Sequence, residues 1–172
     1  GTGSIGRLTK ELADELLRLG HDVRYYYAQG KGNDAYCIKI SNRNAQRIHA
    51  VQSRITGLQG YFSHQKTQRL VKMLSEFQPD VVHLQNLHSN YINLKVLTDY
   101  LKRAHIPTVI TLHDCWFYTG KCTYYVPAEC RKWMSGCGKC PLLHIDNVNP
   151  TLFFDTTHKC ISDKESWFGT IE

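Results

Sequence analysis

Apolar residues return at three- and four-residue steps through Ile5, Leu8, Leu12, Leu16 and Leu19, a single stripe that predicts a helix over 4–19. Ser4 stands where a helix is capped, Gly20 where one ends, and Asp14 and Arg18 lie one turn apart as an ion pair would. "DVRYYYA" (22–28) follows as a strand-type run, and after it a glycine- and asparagine-rich loop with one short apolar patch, "YCIKI". Helical spacing resumes over about 44–57 and 64–77, the second carrying Val71, Leu74 and Phe77 before Pro79 stops it. "DVVHL" (80–84) and "PTVITLH" (107–113) read as buried strands on either side of a helix over 93–104 with Leu94, Leu97 and Leu101 along one side. Helices alternating with short Val/Ile-rich strands predict an α/β fold, a Rossmann-like parallel sheet flanked by helices. From Cys115 to about Asn149 no period survives, and this Cys-rich loop insertion gives way to a capped helix start, "DTTHKCISDKESWF".

Composition adds bounds rather than a function. With 172 residues, 42% hydrophobic and 21% charged, the chain suits one globular domain, and no apolar run reaches the ~18 residues of a membrane span. The net charge of +6 is compatible with anionic partners, including peripheral contact with an anionic membrane surface. Its cations, among them Arg43, Arg47, Arg54, Lys66, Arg69 and Lys72, are spread over predicted helices without interleaved aromatics, which argues against a nucleic-acid groove. The absence of an export signal points to a reducing, cytoplasmic setting. "GTG" opens the chain with no strand before it, and the expectation is a piece of a longer protein.

Ligands of parallel α/β sheets sit beyond the carboxyl ends of the strands, and three polar clusters fall at such places. "GTGSIGR" opens the first helix with Gly3, Ser4, Gly6 and Arg7; "HLQNLHSNY" follows strand 80–84 and supplies His83, Gln85, Asn86, His88 and Tyr91; His113 and Asp114 follow strand 107–112. Glycines let backbone approach a ligand, and helix N-terminal amides favour an anion. "GTGSIG" also satisfies the dinucleotide pattern, yet "RYYYAQ", where the ribose-binding carboxylate should stand, holds none, so NAD is not expected, while Arg24 keeps an NADP reading open. His113 beside Asp114 suits a general base or hydrogen-bond donor, or a strand-end histidine satisfied by the fold; His83, alternating with Val82 and Leu84, reads as structural.

Seven cysteines cannot all pair internally. Cys122, Cys130, Cys137 and Cys140 follow one another at spacings x7, x6 and x2, with Cys115 before them and "CGKC" as a knuckle. That set predicts a closed, structural zinc site stapling the loop, against the alternatives of disulfides or free thiols. Cys37 and Cys160 read as ordinary buried thiols.

The ordered set "GTGSIGR…LADELLRLGHDV…QPDVVHLQNLHSNYINL…IPTVITLHDCW" resembles the N-terminal half of a family 4, GT-B type glycosyltransferase, and the "HDCW" and "GC..CP" stretches resemble bacterial enzymes of capsule, exopolysaccharide or O-antigen assembly. The resemblance covers nearly the whole chain. It implies an acceptor-side Rossmann-like domain spanning 1–172, with the Cys-rich loop at 115–149, lacking its first strand and the C-terminal donor domain. It further implies transfer, usually with retention, from a nucleotide-sugar to a saccharide or lipid-linked acceptor. Gly3 to Gly6 would approach the donor phosphate, His113 would contact the transferring sugar, Asp114 would position His113 or the acceptor, and Asn86, His88 and Tyr91 would face the acceptor. Two readings from other classes stay open beside it: an NADP-dependent oxidoreductase domain and a zinc-stapled interaction module.

Overall fold

The computed structural model describes residues 3–145 and 150–169. Helix α1 (Gly3–Arg18) leads to β1 (Tyr25–Tyr27) and β2 (Cys37–Lys39); α2 (Arg43–Thr56) and α3 (His64–Phe77) follow; β3 (Val82–Leu84), α4 (Leu94–Arg103) and β4 (Thr108–Ile110) make a β-α-β unit; short 3-10 turns punctuate the Cys-rich segment before α5 (Thr157–Phe168). The strands form two parallel pairs, β1 with β2 and β3 with β4, the latter in the register Val82–Thr108, His83–Val109 and Leu84–Ile110. This is the expected α/β architecture of parallel strands and flanking helices. The strands are shorter than the apolar runs that announce them, because each ladder extends only as far as its partner runs beside it.

The helices carry their own punctuation. Asn42 accepts from the amide of Ala45 at the start of α2, and Asn93 does the same from Val96 for α4. Gly57 ends α2 at φ 75°, and Gln78, just before Pro79, ends α3 in the left-handed region. In α1 the helix begins at Gly3, so Ser4 is inside it rather than capping it. The expected Asp14–Arg18 pair does not form: Asp14 takes Lys10 at 2.8 Å and Arg18 takes Glu15. Both acids find a cation three or four residues away, so the choice between partners was open to the helix.

The core gathers on α4. Leu94, Leu97 and Leu101 are buried against Leu70 and Leu74 of α3, Leu84, Leu87, Ile92, Ile106, Trp116 and Trp167. The buried face of α3 is Thr67, Leu70 and Leu74, slightly rotated from the stripe read in sequence. Cys160 is buried as expected, whereas Cys37 is only half-buried. Asn93 also ties α4 to its surroundings, its backbone amide donating to Thr67 Oγ1 at 2.8 Å and its side-chain amide to the carbonyl of Tyr61. The effect is to hold the loop after β3 rigidly where it meets the end of β4.

Candidate functional site

Because β3 and β4 are parallel neighbours, the loops leaving their carboxyl ends start side by side, and the amide of Thr111 still donates to Leu84 O at 3.0 Å. Two polar networks grow from that edge. In the first, His113 Nε2 lies 2.5 Å from Gln85 Oε1, Gln85 Nε2 lies 2.9 Å from His83 Nε2, and His83 Nε2 lies 2.7 Å from Thr111 Oγ1. With the amide oxygen of Gln85 as acceptor, His113 carries its proton on Nε2, and among the described residues no hydrogen bond takes up its Nδ1. Burial, and secondly the proximity of His113, hold His83 below the usual histidine range.

The second network joins the two loops. His88 Nε2 lies 2.8 Å from Asp114 Oδ2, and Asp114 Oδ1 accepts the amide of Trp116 at 2.9 Å. Burial would raise the Asp114 carboxyl, but the His88 hydrogen bond and the Trp116 amide outweigh it and hold it below its ordinary value. An ionised carboxylate is acceptor-only, so His88 donates from Nε2. Asp114 therefore serves His88, 26 residues away, and not its chain neighbour His113.

The acceptor-side candidates turn out to lock their own loop. Asn86 Oδ1 accepts the backbone amide of His88 at 3.2 Å, and Tyr91 donates its hydroxyl to Asn86 O at 2.7 Å while burial pushes its phenol up. Asn90 sits at φ 55° in the same turn. Gly3, Ser4, Gly6 and Arg7 form the first turn of α1; among the described residues no hydrogen bond joins them to His113 or Asp114, and Arg7 faces Glu11 at 3.8 Å on the exposed side. Gly3 stands at φ 81° with nothing within 4 Å of where a Cβ would be, so its backbone is open to approach.

Four residues without an assigned role in sequence complete the site. Gln85 and Thr111 wire the two strand ends together. Trp116 is fully buried, its ring 5.9 Å from that of His88 and its Nε1–H donated to Gln59 Oε1 at 2.8 Å. Lys164, on α5, lies 3% exposed with Nζ 4.2 Å over the Trp116 ring, donating to the carbonyls of Trp116 and, at 2.5 Å, Thr119. Burial lowers its pKa to about 8, with nearby thiols and Asp114 pulling the other way. The signal was present in sequence: Cys160, Ile161, Lys164 and Trp167 share one buried face, and a lysine there must be paired.

The cysteine segment is held differently from expectation. Cys122, Cys130, Cys137 and Cys140 do line one small cavity, with Trp133, Lys121 and Thr157 around them. No disulfide joins any of the seven cysteines. Among the described residues no three His, Cys, Asp or Glu side chains are grouped so as to hold a metal ion, and the closed zinc site read from spacing is not supported. The thiols have other partners. Hydrogen bonding with Cys122, then burial, pushes the Cys140 thiol up, while Cys137 Sγ accepts the amide of Gly120 at 3.2 Å. The loop is pinned instead by polar contacts. Buried Lys121 donates to Leu143 O at 2.7 Å, Gly138 donates to Thr157 Oγ1 at 3.0 Å, Cys140 donates its amide to Asp155 Oδ2 at 2.6 Å, and His158 Nδ1 lies 2.7 Å from Gly136 O.

Residues 5–139 match the family model described as Glycosyltransferase Family 4. Over 96% of its length the chain is 27% identical to WcaC of Escherichia coli (strain K12), a protein whose name assigns it, provisionally, as a colanic acid biosynthesis glycosyl transferase. The chain spans 42% of that relative's length. No solved structure matches it significantly.

Proposed function

The chain belongs to glycosyltransferase family 4, and from that premise we propose that it forms the acceptor-side half of an enzyme of cell-surface polysaccharide synthesis. The enzyme moves a sugar, with retention of configuration, from a nucleotide-sugar to a saccharide or lipid-linked acceptor. The work takes place in the cytoplasm, at or near the inner face of the membrane; among the described residues no helix is long and apolar enough to cross it. In this reading donor binding belongs to a second domain of such an enzyme.

The observation that carries the reading is the junction of β3 and β4 within the matched region, where His113 is held by Gln85 at 2.5 Å. An imidazole fixed through Nε2 presents Nδ1 in one direction, so its contact with a sugar hydroxyl needs little further ordering. The His88–Asp114 pair, backed by Trp116, keeps an ionised carboxylate on the residue that follows His113, and a negative charge near the site would stabilise positive charge developing on a transferring sugar. Gly3 leaves room for a phosphate or sugar at the start of α1.

The test is a proton NMR titration of the histidine ring resonances with a panel of oligosaccharides and, separately, with NADPH. Oligosaccharide-dependent shifts of His113, lost in His113→Ala while the other histidines stay folded, support the proposal. Shifts with NADPH alone would move the chain to the oxidoreductase reading.

A further inference from the structure

Helix α2 is amphipathic the wrong way round. The residues it buries are His49 and Ser53, at 1% and 5% exposure, while Ile48, Val51 and Ile55 stand 62%, 53% and 41% exposed. These three recur at steps of three and four, so they form a single outward stripe. Arg43, Arg47 and Arg54 are exposed along one flank of that stripe, and α2 contains no acidic residue.

A second apolar element lies against the end of this helix. Leu152 donates its amide to Arg54 O at 2.7 Å, Thr156 Oγ1 reaches Thr56 O at 3.4 Å, and a Cβ on Gly57 would lie 2.6 Å from Phe154 O. Between these anchors Leu152, Phe153 and Phe154 are 55%, 67% and 59% exposed, although their backbone is tied down. Six exposed apolar side chains thus lie on α2 and the segment tied to its end, beside three arginines that meet no acid among the described residues. Scattered exposed apolar residues need no explanation, but a stripe joined to a pair of aromatics marks a contact surface.

We propose that the outer face of α2 together with Leu152–Phe154 is a docking surface for an anionic lipid bilayer, with the arginines on lipid headgroups and the apolar side chains at the level of the upper acyl chains. Charge selects this occupant. An apolar stripe flanked on one side by three arginines, on a helix that carries no acid, fits an interface of negative potential even with Asp155 exposed at the far end of the surface, whereas a second copy of the same face would bring arginine against arginine. The polar, buried side of α2 makes the same point, since its apolar residues contribute nothing to the core. The surface gives a place to the peripheral location proposed above and rests on that reading for its biological meaning; its lipid binding is measured without any sugar chemistry, so the two can fail separately.

The experiment is co-sedimentation of the chain with vesicles of phosphatidylcholine alone and of roughly three parts phosphatidylcholine to one part phosphatidylglycerol. Binding is expected to the anionic vesicles and to weaken about tenfold on neutral ones or at high salt. Phe153→Ser with Phe154→Ser is expected to cut partitioning to anionic vesicles about tenfold, and Arg43→Glu with Arg47→Glu to remove the anionic preference, both with unchanged thermal unfolding because all four residues are exposed. No binding by the parent chain, or equal binding by both variants, would overturn the proposal. So would self-association in the absence of lipid that the serine variant abolishes, which would assign the face to a second copy.

Discussion

At the scale of single residues, adjacency in the chain proved a poor guide to partnership. His113 and Asp114 are neighbours in sequence, and position at the end of an apolar strand was enough to single both out. Their side chains nevertheless leave in different directions, one to Gln85 and the other to His88. Nothing in one sequence specifies a contact across 26 residues between two loops, because it depends on the register of β3 against β4. Lys164 makes the complementary point: its burial was readable from the helical face it occupies, but its acceptors, two carbonyls of the loop after β4, were not. Replacing it by methionine keeps the volume and strands both carbonyls without a donor. Lys164→Met is expected to destabilise the fold by about 3 kcal/mol, the cost of two unmet buried acceptors, read from urea unfolding. A change below about 1 kcal/mol would mean that the carbonyls find other donors.

At the scale of elements, the helices were legible and the strands only partly so. Apolar stripes place α1, α3 and α4, and helical spacing α2, within a residue or two, while α5 is legible only as a helix start, because helix formation is written locally in spacing and caps. The strand runs 22–28 and 107–113 shrink to three residues each, since a ladder needs a partner and the partner is distant in sequence. Helix α2 shows what stripe reading misses, namely which face is inward. Its inward face places His49 beside Ser63, with Nδ1 2.7 Å from Oγ and Nε2 buried without a partner. Burial depresses the His49 pKa from 6.5 to about 4. The unfolded chain therefore takes up a proton between pH 6.5 and 4 that the folded chain refuses, and stability from this site is whole above about pH 6.5 and lost as pH falls through that window. The loss amounts to about 3 kcal/mol by pH 4. His49→Asn, which keeps a short polar group toward Ser63 and does not titrate, should flatten this part of the acid limb. The check compares urea midpoints of the two proteins at neutral and acidic pH; parallel acid limbs would remove His49 as a source of acid lability.

At the scale of the whole molecule, the described part of the Cys-rich segment is a run of loops and short 3-10 turns laid against the start of α5. Composition made it recognisable as a unit, and cysteine spacing suggested a metal staple. Spacing alone does not fix where thiols point, and the contacts that hold the segment come from residues that carried no motif: Lys121, Asp155, Thr157 and His158. Gly120 packs closely against the first residue of α5. A Cβ there would lie 2.5 Å from the carbonyl oxygen of Thr157 and 2.6 Å from its Cβ, with backbone that cannot yield. The same residue donates its amide to Cys137 Sγ at 3.2 Å, so displacing it also loosens the thiol cavity. Gly120→Ala is therefore expected to lift the segment from α5 while leaving the α3–α4 core in place. Buried cysteines report this directly, because a thiol-specific reagent reaches Cys122 and Cys160, at 7% and 2% exposure, only when their cover opens. In the parent chain these two should react more slowly than half-buried Cys37. In Gly120→Ala, Cys122 should join the fast class and Cys160, held under Gly57 rather than under the segment, should stay slow. If Cys122 and Cys160 accelerate together, the segment and the core open as one cooperative unit, and their separation into two units fails.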